Sequence, residues 1–321
     1  MQGASYVKPG WVAAVACVIF TLGVPALAAA PGAAPADSSR FPLVAVLCYH
    51  DLSDDMSTPL QTVSARFLRD QIRSCRALGW SFLSLAEVLA HRDHPEQLPP
   101  RVLVLTFDDG YRSFAEQALP VLLQENVPAT LAPITSFVDK PHPELPPLLT
   151  WTELRQLDAG DDVSVVSHSH AMHQYELSNP ARDTGPSAVT RRWLPDQKRY
   201  ENRDEYRARL DADLLESQRV LKSELGHAVS VLVWPYGEHN VVARAQAALA
   251  GFTTTLSADP RPVTAADLKL GCLPRVLVTR KLRFDDPELA WLLPPPDPMR
   301  AAEVDLDALW DYAHPEVSEA R

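Results

Sequence analysis

Cysteine, basic charge and low-complexity sequence are all scarce in this chain, and each shortage removes a class of protein. Only four of the 321 residues are cysteines. Once Cys17 is set aside with the N-terminal segment that carries it, Cys48, Cys75 and Cys272 form an odd set that cannot build a complete disulfide framework. They read as fillers of core space rather than as bridges or metal ligands. Basic residues number 30 against 41 acidic ones, a formal net charge of -11, so the surface lacks the basic footprint that nucleic acid requires. Glycine and proline, 12 and 29 residues, make up about an eighth of the chain, well under the share that marks low-complexity sequence. No internal repeat is visible.

What is present is a large apolar fraction, 46% of residues against 22% charged, enough for a sizeable core. The first thirty residues carry one positive charge at Lys8, an uncharged run over 11–30 and the small-x-small pattern Ala26-Leu27-Ala28, which reads as a secretory signal peptide over 1–28. The competing reading is an uncleaved anchor, since such a run is just long enough to span a bilayer; Gly23 and Pro25 near its end favour cleavage. The expected location is therefore periplasmic or secreted. Residues 29–40, rich in Ala, Pro, Gly and Ser, read as a flexible leader.

From residue 41 onward, apolar runs of strand length alternate with helical patterns. Strands are expected at 43–49, 102–107, 129–134, 163–167, 229–234, 252–256 and 275–278. Helices are expected after Ser64, at 114–124, from Thr152, at 204–225 and at 241–250. Such alternation predicts parallel strands with helical crossovers, and about seven units in one domain over 41–293 fit a deformed (β/α) barrel. The polar stretch 177–203 has no clear period and reads as a long inserted loop. Residues 294–298 form a proline-rich linker.

Three motifs at expected strand ends carry chemistry, in the position where parallel α/β folds place their sites. The first is Thr106-Phe107-Asp108-Asp109-Gly110-Tyr111, in which adjacent carboxylates leave the strand in opposite directions unless the turn at Gly110 brings them into one site. The second is His168-Ser169-His170-Ala171-Met172-His173, a credible metal site. His170 alternates with His168, whereas His173 must be returned by a turn, and spacing alone leaves open which two bind. Two histidines and one carboxylate would leave coordination positions open, as catalytic sites do. The third is Trp234-Pro235-Tyr236-Gly237, where a backbone N–H can face a developing oxyanion. A fourth candidate, His50 in Cys48-Tyr49-His50-Asp51, ends the first strand.

Together these residues resemble the polysaccharide deacetylases, the NodB-like carbohydrate esterases, and more closely their circularly permuted branch that deacetylates poly-β-1,6-N-acetylglucosamine in biofilm matrix. The resemblance implies Asp108 as general base and Asp109, His168 and His173 as ligands of a divalent ion (zinc, nickel, cobalt or iron), with His170 a neighbour. It implies His50 as general acid, Tyr236 as the oxyanion donor, and Trp234 and Tyr111 against substrate. The family carries an arginine where this chain has Val233, so a partner for Asp108 must come from elsewhere or be absent. Residues 299–310 look like the opening of a second, hydrolase-like barrel, so 294–321 reads as a linker and remnant of that domain. The implied partners are an N-acetylglucosamine polysaccharide and export-complex proteins. A chitin or peptidoglycan deacetylase, and a non-catalytic glycan-binding module of an export complex, are the competing functions.

Overall fold

The computed structural model describes residues 41–55, 57–140 and 145–282, so the expected signal peptide, leader and C-terminal remnant lie outside the described residues. β1 (Leu43–Tyr49) is buried along nearly its whole length, as a strand covered on both faces must be. α1 (Ala65–Ala77) starts at Ser64, whose side chain accepts the Phe67 N–H, an N-cap bond that satisfies a free helix donor. β2 (Ser81–Phe82), α2 (Leu85–Ala90), β3 (Arg101–Asp109), α3 (Leu119–Glu125), β4 (Ala129–Pro133), α4 (Trp151–Asp158) and β5 (Val163–Val165) follow. The helix expected over 114–124 opens with a wide π turn at Phe114–Ala118, because Pro120 has no N–H to give the carbonyl of residue 116.

The stretch 177–203 is not one irregular loop. It contains most of the hairpin β6 (Tyr175–Leu177) and β7 (Thr184–Pro186), and all of the hairpin β8 (Trp193–Leu194) and β9 (Arg199–Tyr200). These are fastened by ion pairs such as Arg192–Glu176 and Arg209–Glu201 rather than by apolar alternation, which is why no period marks them. α5 (Arg203–Leu225) then buries Tyr206, Leu210, Leu214, Ser217 and Leu221, one stripe at helical spacing. β10 (Val231–Val233), α6 (Val241–Leu249), β11 (Thr254–Leu256), α7 (Ala265–Leu270), β12 (Cys272–Leu273) and β13 (Val276–Leu277) complete the described chain.

The central strands pair in parallel in the order β13-β1-β3-β4-β5 and, separately, β10-β11-β12. A parallel bridge between Ser167 and Leu232 joins the two sets, and Pro274 and Arg275 link β12 to β13. With β12 and β13 counted as one interrupted strand, the result is a ring of seven positions, as expected, deformed where a single bridge replaces a ladder. β2 borders the first half of β3, on the edge whose second half carries β4. One apolar cluster fills and surrounds the β1–β5 side; a second, with Met172, Tyr206, Leu214, Trp234 and Phe252, lies under α5 and α6. Among the described residues no helix is long and apolar enough to cross a membrane.

Candidate active site

All four sequence candidates meet at the C-terminal ends of the ring strands. β3 ends in two residues of left-handed conformation, Asp109 at φ 69° and Gly110 at φ 80°. A Cβ on Gly110 would stand 2.9 Å from the Pro133 Cβ, so glycine lets the chain turn against β4. That turn keeps both carboxylates in one site, each buried, at 3% and 5% exposure. Ser169 and Tyr236 are also left-handed, at φ 66° and 58°. Backbone strain of this kind, of order 1–3 kcal/mol per residue, persists only where surrounding structure imposes it.

Asp109 faces the histidines. Its Oδ1 lies 3.4 Å from His168 Nε2 and 3.3 Å from His173 Nε2. Two ligands of one tetrahedral ion at about 2.1 Å would themselves be roughly 3.4 Å apart. Asp109 Oδ1 is buried and has no hydrogen-bond partner, an acceptor a cation would satisfy. His168 Nδ1 donates to the Val233 carbonyl at 2.9 Å, which turns the Nε2 lone pair inward, the usual outer support of a ligating imidazole. Burial holds His173 below its ordinary pKa, in the neutral form that ligates. Burial also pulls His168 down, but the two aspartates outweigh it and push it up; the same field attracts a cation.

The turn that returns His173 has identifiable supports. Asp213 of α5 accepts the His170 and Ala171 N–H groups at 2.9 and 2.7 Å. Ser169 Oγ accepts the Met172 N–H at 3.2 Å, and the Met172 side chain is buried in the second cluster. His170 points elsewhere, its Nδ1 2.9 Å from Thr135 Oγ1, and is not in the ligand group formed by Asp109, His168 and His173.

Asp108 faces Arg275. The guanidinium gives Nη1–H to Oδ1 at 2.8 Å and Nη2–H to Oδ2 at 2.9 Å, and it also donates to Thr106 Oγ1 and the Ser257 carbonyl. This is the bidentate geometry in which arginine and carboxylate bind best. Burial opposes the Asp108 charge, but Arg275 outweighs it and brings the carboxyl down to about 2. The Cys48 thiol, pushed well up by burial, stays protonated and lies 3.4 Å from Asp108 Oδ2 as a donor. His50, Cys48 and Asp108 each bring an atom within 4.8 Å of the others. The chain after His50 is pinned by Ser113 Oγ, which donates to Asp51 at 2.6 Å and accepts the Leu52 N–H at 3.0 Å.

Arg275 is the partner that Val233 could not supply. Its sequence signal was an arginine set inside the apolar run 272–278, where a buried charge demands a partner. Asp213 gave no such signal, being one acid among many on a polar helix. Trp234 requires a correction: it is 0% exposed and packed in the second cluster, so it cannot touch substrate, and Tyr236 is the aromatic of that motif that reaches the surface. Tyr111 keeps only 9% exposure, with burial and the adjacent Asp109 pushing its phenol far up. Gly237 serves close approach, since a Cβ there would stand 2.6 Å from the Ala258 nitrogen. Cys48, Cys75 and Cys272 are all free thiols, the first two buried.

A seven-position parallel ring with an Asp–Asp pair, two histidines that could hold a metal ion with Asp109, and a buried arginine at its strand ends has the make-up of a candidate hydrolase site in an α/β barrel. The sequence profile of the polysaccharide deacetylase family matches residues 96–255. The BpsB deacetylase domain from Bordetella bronchiseptica is 32% identical, with a TM-score of 0.65, over 76% of this chain and 98% of that one. A de-N-acetylase from Aggregatibacter actinomycetemcomitans is 26% identical, with a TM-score of 0.70, over 78% of this chain and 99% of that one. Poly-β-1,6-N-acetyl-D-glucosamine N-deacetylase of Escherichia coli K12 is 27% identical over 277 residues, 83% of this chain and 41% of the relative. The chain belongs to the polysaccharide deacetylase family, and its matched part spans less than half the length of that Escherichia coli relative.

Proposed function

We propose that this chain is a metal-dependent N-deacetylase of an N-acetylglucosamine polysaccharide, with poly-β-1,6-N-acetylglucosamine as substrate. The observation that carries the reading is the division of labour in the Asp–Asp pair. Asp109 has an orphaned oxygen facing two imidazole nitrogens, and Asp108 is held by Arg275 beside it. A binding module has no use for a charged, oriented carboxylate next to its ligand set.

A divalent ion on Asp109, His168 and His173 would act as a Lewis acid, polarising the acetamide carbonyl and acidifying a water. Asp108, ionised and fixed by two Arg275 hydrogen bonds, accepts that water's proton. The Tyr236 N–H donates to the oxygen that gains charge as the carbonyl carbon becomes tetrahedral. His50, near Asp108 at the end of β1, gives a proton to the departing amine. Tyr111 supports Asp109 from the rim. The tight buried arginine couple makes Asp108 a weak base in the resting site, and an ion held by Asp109, His168 and His173 would lower the pKa of the water whose proton it takes.

The signal-like first residues support export to the periplasm or outside the cell, and partner proteins of polysaccharide export belong to the same reading. The test is amine release from β-1,6 and β-1,4 N-acetylglucosamine oligomers, with and without a chelator. Chelator-sensitive release, faster on β-1,6 oligomers, is expected. Equal or faster release from the β-1,4 series would remove the linkage assignment, and no release from either would remove the activity.

A further inference from the structure

The aromatic row leading out of the site ends in a side chain that the catalytic reading does not use. His173 and Tyr236 have ring centroids 4.6 Å apart, and Tyr236 and Tyr175 are 4.7 Å apart. Tyr236 is therefore held between a candidate ligand and Tyr175. Yet Tyr236 is 37% exposed and Tyr175 55%, so this contiguous aromatic surface opens to solvent within one side chain of the proposed metal centre.

Tyr175 is exposed but firmly placed. Its neighbour Glu176 accepts hydrogen bonds from Gln174 Nε2 and Ser187 Oγ, both at 3.0 Å, and from Arg192 Nη2 at 2.5 Å. The Ser187 N–H donates to the Gln174 carbonyl at 3.0 Å. Successive strand residues face opposite ways, so anchoring Glu176 against the protein turns Tyr175 to the other side, toward Tyr236. A large aromatic locked in place with more than half its surface wet has lost conformational freedom without gaining burial. Such a group is prepared for a partner that is apolar on one face and polar at its edge. A pyranose ring has that character, with C–H groups on its faces and hydroxyl and acetamide groups around its rim.

We propose that Tyr175, backed by Tyr236, is the stacking platform for the N-acetylglucosamine unit adjacent to the one being deacetylated. This rests on the deacetylase reading of the site. The platform belongs to the β6–β7 hairpin, outside the ring, and so selects for polymer over single sugar without touching the reacting atoms.

The test titrates a β-1,6-linked N-acetylglucosamine pentamer, and separately the monosaccharide, into metal-loaded Asp108→Asn protein carrying Tyr175, Tyr175→Ala or Tyr175→Trp. KM and kcat for the pentamer are measured in parallel with Asp108 intact. Tyr175→Ala should weaken pentamer binding and raise KM by about 3–10-fold, the range of one aromatic contact. The ratio of pentamer to monosaccharide affinity should fall with it, and Tyr175→Trp should restore both. Unchanged pentamer affinity and KM in Tyr175→Ala would overturn the platform, as would an equal loss for monosaccharide and pentamer. If the parent releases no amine but pentamer binding depends on residue 175, the deacetylase reading fails and the platform stands. If turnover is normal and independent of residue 175, the reverse holds.

Discussion

Asp108 and Asp109 are consecutive, equally buried and chemically identical, yet the protein completes one and leaves the other incomplete. Around Asp108 every polar demand is answered within the chain: both oxygens take Arg275, and the Cys48 thiol adds a donor. Around Asp109 two imidazole nitrogens stand at 3.3–3.4 Å and one oxygen has no partner. A buried carboxylate that is fully paired is being oriented; one left open between two imidazole nitrogens is being reserved. The difference arises from which ring position each faces, Arg275 before β13 or the histidines after β5.

The largest effect should come from emptying the open side. His168→Ala or His173→Ala should abolish both bound divalent ion, measured by elemental analysis, and amine release, whereas His170→Ala should keep most of both. Loss with His170→Ala and retention with His173→Ala would reverse the ligand assignment.

On the completed side, Asp108→Asn should keep the ion but lower kcat by at least about a hundredfold, the low end of a general-base contribution. Activity within tenfold of the parent would point to another base. Arg275→Met leaves Asp108 charged and unpaired in the core, and should cost about 3–5 kcal/mol of stability by denaturant titration. The double change Arg275→Met with Asp108→Leu should recover much of that stability and none of the activity. Equal stability of the single and double variants would mean that the pair is not the buried couple described above.

A smaller effect tests the support of the histidine turn. Asp213→Ala removes the acceptor of two N–H groups between the proposed ligands, and should weaken metal affinity by about 10-fold or more, as loss of outer-shell support does. Competition with a chromophoric chelator measures it, and unchanged affinity would assign the turn to Met172 and Ser169 alone.

The smallest lies far from the site, where His227 Nε2 meets Asp158 Oδ2 at 2.6 Å and this hydrogen bond raises the His227 pKa. A raised folded pKa means that the contribution is fully present below the unfolded value of about 6.5 and fades as pH rises through the folded value. The imidazole is half exposed, so the stability difference between parent and His227→Ala should be under about 1 kcal/mol at pH 5.5 and close to nothing at pH 8.5. A difference that grows with pH would contradict the ion pair.

Much of the fold is legible in the chain because burial on both faces writes strands as continuous apolar runs. β1 falls on its expected residues 43–49, and Ser64 announces α1. β2, α2 and α7 were not anticipated: the first is two residues long, and the helices are single short turns without a sustained period. The hairpins of 175–200 escaped for the reason already given, that arginine–glutamate pairs leave no hydrophobic pattern. The motifs themselves are readable because their chemistry needs particular side chains at short spacing.

The sequence by itself determined the parallel α/β ring, the strand-end motifs and the residue types that could hold a metal ion, since local spacing and apolar period are properties of neighbours along the chain. Only the tertiary structure decided that His173 returns to Asp109 while His170 turns to Thr135, that Arg275 completes Asp108 from 167 residues away, that Trp234 is core, and that Tyr175 stands exposed beside Tyr236. Each of these depends on which strand ends the closure of the ring brings together, and closure joins residues whose separation in sequence carries no signal of their contact.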